Sequence, residues 1–407
     1  MKKNIMRKWF VLGIINLAIV ALYGTLMRYK IVFDFPFLDQ KNLLHAHSHF
    51  AFSAWISHAL YCGLAILLMP HLSLKKQRYY HLLIALNLFC AFGMLIAFTV
   101  QGYKTVSIVF STLSVVVSFI YAISFIRDKA CLPASHAAIP WAVAALLLNV
   151  LSSLGPFSLA YMMATHSVNT SLYLGSVYYY LHFQYNGWFF FGAMALVTTC
   201  LPAGFPSLKK YFNVFALTVI PTFGLSVLWA KLPVWLYIIV VASTFAQLAA
   251  WVVLAMHLLR YFRQHGKVFI PAWIRLFFYA AALAFTLKFT LQAVSVIPSL
   301  SQLVFGFRPV VIAYLHLVLL GVYSLFIIGY LFSKGWLKPV KMTKAAAGML
   351  LAGVLLNELL LAVQGFAAFA YMPVPYINEA LLAAALVLLC SAIAMVVSLQ
   401  SNPRSGS

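Results

Sequence analysis

Acidic side chains are almost missing from this chain, in which five Asp and Glu stand against 27 Lys and Arg for a formal charge of +22. Charge of either sign is scarce, 8% of 407 residues, while 65% are hydrophobic. That balance excludes an ordinary soluble domain, in which about a quarter of residues are charged. Cysteine is also sparse. Cys62, Cys90, Cys131, Cys200 and Cys390 stand singly, with no CxxC or zinc-type spacing, which excludes a disulfide framework. No low-complexity linker, soluble-domain stretch or nucleic-acid motif interrupts the chain, so nucleic acid is not an expected partner. No internal repeat is apparent, which counts against a transporter assembled from two similar halves.

What remains is hydrocarbon-compatible sequence. Runs long enough to cross a bilayer core of about 30 Å, roughly 20 residues each, fall near 9–27, 44–69, 80–100, 105–126, 138–156, 169–201, 211–229, 234–259, 271–294, 309–332, 345–370 and 376–399. The fold expected is an all-α integral membrane protein, about twelve transmembrane helices in one bundle over 1–407. The opening run from Trp9 mimics a signal peptide but is long and lacks a small-residue cleavage site, so it reads as the first span. Lys and Arg then test the count. They alternate, with 20, Arg404 included, at the N-terminus, C-terminus and loops after even-numbered spans, against 6 in the opposite loops. Basic residues concentrate on the cytoplasmic side, so both termini are expected there, beside the anionic lipid headgroups of the bilayer. A bacterial inner membrane is the expected location.

Into this apolar background the chain inserts histidine. Leu44-His45-Ala46-His47-Ser48-His49-Phe50 places three imidazoles within five residues at the start of span two. His45 and His49, four apart, share a helix face, whereas His47 points elsewhere. An interfacial polar cap is the plain alternative. His182 in span six and His316 in span ten enter from the same side, His316 roughly 12 Å inward from Arg308 at 1.5 Å per residue. A single intramembrane histidine is often satisfied by a neighbouring carbonyl, but three spans with shared sidedness point to one cavity. Of the other histidines, His58 lies mid-span and His166 in an external connection, while His71, His81, His136, His257 and His265 fall at basic ends where polar groups are cheap. Span six reads Tyr178-Tyr179-Tyr180-Leu181-His182-Phe183-Gln184-Tyr185-Asn186-Gly187-Trp188, too polar and aromatic for a lipid-facing helix, with Gly187 open to close approach.

At these three spans the chain resembles the large subunit of haem–copper oxidases, and especially the related nitric oxide reductases. His182-Phe-Gln-Tyr-Asn186-Gly187 is similar to the reductases' helix-six His-Leu-Trp-Val-Glu-Gly, and His316-Leu-Val-Leu-Leu-Gly321-Val-Tyr323 to their helix-ten His-Met-Ala-Phe-Tyr-Gly-Ala-Tyr. His45-Ala46-His47 is also similar to a motif of the NnrS family of haem membrane proteins. The first resemblance implies twelve helices, a low-spin haem between histidines of spans two and ten, and a span-six histidine beside a second metal. The axial residues implied are His316 and one of His47, His49 or His45, with Lys288 and Arg308 near the haem propionates.

Departures from the pattern limit the chemistry. Residues 211–229 hold no histidine, so the helix-seven His-His pair of that family is missing. Tyr314 stands where the high-spin haem ligand would be, and Gln184 and Asn186 replace acids. His182 is then left as the one metal-ligand candidate, in a remnant pocket with Tyr185 nearby. The expectation is one haem b for electron transfer or for nitric oxide- or oxygen-related sensing, with an electron-donor protein or quinol as partner and no gas reduction. The rival class is a proton-coupled secondary transporter or metal-ion carrier, using Lys288 and Glu358, the one acid deep in a span. For Lys288 the plain alternative is snorkelling to the surface.

Overall fold

The computed structural model describes residues 2–167, 169–202, 205–300 and 307–400. Arg404 lies outside the described residues, and so does the side chain of His265. Contiguous helical runs are labelled α1 (Lys2–Val32), α2 (Gln40–His71), α3 (Leu74–Gln101), α4 (Thr105–Cys131), α5 (Ala138–Ala164), α6 (170–200), α7 (Lys209–Ala230), α8 (Val234–Phe269), α9 (Ala272–Val294), α10 (Arg308–Ser333), α11 (Lys341–Phe369) and α12 (Ile377–Gln400). The fold is 86% helix, with no strand among the described residues. Eleven of these helices are long and apolar enough to cross a membrane, and the chain is an integral membrane protein. Helix α6 is not among the eleven, because His182, Gln184 and Asn186 interrupt its apolar sequence.

Packing divides the chain into two compact units, Met1–Leu132 with Ile327–Ser407, and Pro133–Phe326. In the first, α12 packs on α11 and α1, and α3 on α2 and α4. Helix α2 is the enclosed member, with 89% of its apolar window buried against 28% for α4. Large apolar side chains such as Phe89, Ile96 and Leu355 face outward, while Asn16, His58 and Asn87 are buried. That is the distribution a bilayer favours, since lipid solvates apolar groups and leaves polar ones to be satisfied inside. In the second unit the helices α5 to α9 and α10 as far as Phe326 pack on their chain neighbours. Buried there are Gln184, Asn186, Gln247, Lys288 and Gln292.

Polar caps set the ends from which the candidate histidines are counted. Asp39, in extended backbone, accepts from the amide of Asn42 at 2.8 Å and starts α2. Asn169 does the same for α6, accepting from Leu172 N at 3.0 Å. Three runs then widen midway into π-helical turns, Ala51–Ser57 in α2, Phe183–Trp188 in α6 and Leu317–Ser324 in α10. Each follows a candidate histidine: His182 and His316 immediately precede theirs, and His49 stands two residues ahead of its own.

Candidate functional site

A π-helical turn adds one residue to the loop that each hydrogen bond closes, so carbonyls near it lose their regular partners and need others. In α2, Ser53 O accepts from Asn87 Nδ2 at 3.1 Å and Ala54 O from Asn16 Nδ2 at 2.8 Å. Two asparagines on flanking helices therefore hold this segment open. In α6, Tyr185 O accepts from the hydroxyl of Tyr323, which belongs to the π segment of α10. Within α10, Leu319 O accepts from Ser324 Oγ at 2.9 Å. Gly187 allows the α6 segment to lie against α5, where an added Cβ would stand 2.8 Å from Leu148 Cβ. The close approach expected at Gly187 is thus to a leucine side chain.

The α2 histidines divide by what their nitrogens meet. His47 Nδ1 donates to Val20 O of α1 at 3.1 Å, and its ring packs closely on Gly24, where an added Cβ would stand 3.3 Å from it. His49 stacks on Phe98 with centroids 4.5 Å apart, and its Nε2 pairs with Tyr103 Oη at 2.9 Å. His45 packs edge-on to Tyr103 at 4.7 Å, and its Nε2 is buried with no hydrogen-bond partner among the described residues. Farther along, His58 is fully buried, its Nε2 donates to Trp9 O at 2.8 Å, and its Nδ1 is likewise buried without a partner. An orphaned buried acceptor nitrogen costs roughly 1–3 kcal/mol. Imidazoles oriented through one nitrogen, with the other presenting a lone pair, are how histidine meets metal or haem iron.

The second unit is wired differently. Lys288, 1% exposed, reaches Asn186 Oδ1 at 2.5 Å; Asn186 Nδ2 reaches His182 Nδ1 at 3.1 Å; and His182 Nε2 reaches Val219 O at 2.8 Å. The donor order follows from its carbonyl end. The Val219 carbonyl can only accept, so His182 carries its proton on Nε2, its Nδ1 accepts from Asn186 Nδ2, and Asn186 turns its oxygen to the Lys288 amine. Lys288 also lies over the faces of Phe289 and Phe285, 4.0 and 5.1 Å from their centroids. Snorkelling is excluded, since the amine is turned inward. Both ring nitrogens of His182 are held by protein atoms, so in this conformation neither is open to a metal. Among the described residues no three His, Cys, Asp or Glu side chains converge.

The remaining candidates surround this chain of bonds or lie apart from it. Gln184 Nε2 donates to Asn149 Oδ1 and Ser152 Oγ, both at 2.8 Å, and so ties α6 to α5. The Tyr185 hydroxyl meets those of Ser226 and Tyr314, with the two tyrosine rings 6.1 Å apart. His316 Nδ1 donates to Ile312 O, one turn back in α10, at 2.9 Å, and Arg308 is exposed on the first turn of that helix. In the first unit the Glu358 carboxylate accepts from Asn357 Nδ2 at 3.2 Å. His166 is an exposed turn residue at φ 51°, outside any helix. Sequence reasoning missed Asn16, Asn87 and the Phe285–Phe289 pair. The asparagines were findable, as isolated amides in apolar spans. No family model matches the chain, and no curated protein matches it either.

Proposed function

We propose that the chain is a haem-binding integral membrane protein of about twelve spans, holding one low-spin haem b for electron transfer or for nitric oxide- or oxygen-related sensing. The observation that carries this reading is the placing of His49, His182 and His316 just ahead of the π-helical turns of three different helices. Such turns occur disproportionately at functional sites. Within α2 the buried, unpartnered Nε2 of His45 adds a nitrogen suited to a ligand. In α10 the Ile312 carbonyl holds His316 through Nδ1, the second-sphere bond that orients a ligating imidazole and selects Nε2 as its lone-pair nitrogen. The axial candidates are His316 and one of His45, His47 and His49. A bis-imidazole haem supplies one-electron exchange with no open coordination position.

Gas reduction is not proposed. What supports that restraint is the engagement of both His182 nitrogens and the lack of histidine in 211–229. An electron-donor protein or quinol, and a bacterial inner membrane, complete the proposal. The 20-to-6 division of basic residues supports cytoplasmic termini. Reporter fusions after Lys76, Lys210 and Lys341 are expected to read cytoplasm, and consistent inversion overturns that orientation.

The decisive measurement is spectroscopic. Protein purified from haem-replete cells is expected to show a six-coordinate low-spin protohaem spectrum that His316→Ala abolishes, as does alanine at one of His45, His47 and His49. A colourless preparation that refuses added haemin sinks the reading.

A further inference from the structure

Away from the histidines, the second unit contains an apolar groove of about 140 Å³ between α6, α8, α9 and α10. It is long and narrow. On α8 alone its lining runs from Trp251 to Phe262, eleven residues or about 16 Å along a helix axis. Two polar groups on its border are already occupied: Trp251 Nε1 donates to Thr286 Oγ1 at 2.9 Å, and the Tyr323 hydroxyl donates to Tyr185 O. Apolar cavities of about 150 Å³ stay dry and take up hydrocarbon. The lining is otherwise dominated by Phe, Leu, Ala and Val side chains, which suit an acyl chain.

One end of the groove is different. Phe278, Tyr279 and Ile270 line it there. Arg275, one turn before Tyr279 on α9, has a buried Nε with no hydrogen-bond partner among the described residues. The exposed Arg260 and Arg263 on α8 flank the lining residues Leu259 and Phe262. Arg275, one turn from the lining residue Tyr279, and the exposed Arg260 and Arg263 make this end of an otherwise apolar groove positively charged, and phosphate fits the guanidinium fork well.

We propose that this groove is a binding site for one anionic phospholipid, its acyl chain lying along α8 and its phosphate held by Arg275. Arg260 and Arg263 favour a net negative headgroup over a zwitterionic one. The site is independent of haem.

The test is native mass spectrometry of the full chain equilibrated with equal amounts of dioleoyl phosphatidylglycerol and phosphatidylcholine. The wild type is expected to retain one phosphatidylglycerol at least five-fold over phosphatidylcholine, and Arg275→Gln to reduce that retention at least five-fold while Arg275→Lys keeps part of it. Ala282→Trp, which fills the groove, should abolish retention of both lipids. Equal retention of the two lipids, an unaltered Arg275→Gln, or preferential retention of an isoprenoid quinone overturns the proposal. Should Ala282→Trp not fold, phosphatidylglycerol brominated on its acyl chain asks the same question. It is expected to quench tryptophan emission in the wild type, and Trp251→Phe to remove a share of that quenching. Quenching that is indifferent to Trp251 overturns the groove as the chain's location.

Discussion

Helices α2 and α6 both set histidines around a π-helical turn, and the two sets meet their surroundings in opposite ways. In α6 the histidine is consumed by the fold: His182 is bonded at both nitrogens and forms the middle of a line from Lys288 to the Val219 carbonyl. In α2 the freed carbonyls are satisfied from outside by Asn87 and Asn16, and the imidazoles of His45 and His58 each keep one buried nitrogen without a partner among the described residues. The contrast separates two meanings of an intramembrane histidine. Where a network closes on itself, the residue is a structural pin. Where a buried nitrogen has no partner among the described residues, the fold leaves a lone pair to which a ligand could bind.

The largest effect should come from breaking the closed network. Asn186→Leu removes the oxygen facing the buried Lys288 amine and the donor facing His182 Nδ1 in one step. Leaving a buried polar group without its partner costs about 1–3 kcal/mol, and two are stranded here, so a loss of about 3 kcal/mol is expected in thermal or denaturant unfolding of detergent-purified protein. Adding Lys288→Met should restore part of it, because the double variant no longer buries an unpartnered amine. A double variant less stable than Asn186→Leu alone would show that Lys288 is held mainly by its aromatic contacts.

A smaller effect is expected where α2 is propped open. Asn87→Leu keeps the branched side-chain shape but leaves Ser53 O without its donor, a loss of about 1–2 kcal/mol for a buried carbonyl. The α2 backbone should then relax toward regular α-helix, and faster amide exchange over 51–57 would report it. Unchanged exchange and stability would mean the π turn is held by packing and not by that hydrogen bond.

Much of this was legible from residue types, and the rest was not for identifiable reasons. Apolar run length places the helices, and the amide and tyrosine content of span six marks it as an inward wall, as the burial of Gln184 and Asn186 bears out. Helix ends extend beyond the apolar runs, α1 beginning at Lys2 and ending at Val32, because hydropathy senses hydrocarbon and not backbone hydrogen bonding. The π turns left no sequence signal, since they differ from α-helix by one residue in a repeat that apolar side chains do not report. Lys288 illustrates a third limit. Its type and depth are readable, but whether it snorkels or turns inward depends on a partner 102 positions away in the chain.

The smallest stability effect is expected at His45, and it sharpens the comparison most. His45→Leu removes a buried nitrogen that no described residue satisfies and replaces the ring with a side chain suited to Phe98 and Tyr103. Deleting an unsatisfied polar atom while conserving volume is close to neutral and can stabilise. In protein from haem-deficient cells the variant should therefore unfold within about 0.5 kcal/mol of the wild type, or slightly later, since the change removes none of the deep network contacts that produce large losses. In haem-replete cells the balance should reverse if His45 is the axial residue, because a ligand bound only by the native state adds stability that the variant cannot gain. The pair of measurements tells a pin from a ligand. A loss of several kcal/mol in the haem-deficient protein, comparable with that of Asn186→Leu, would place His45 in the same class as His182 and erase the distinction between the two helices.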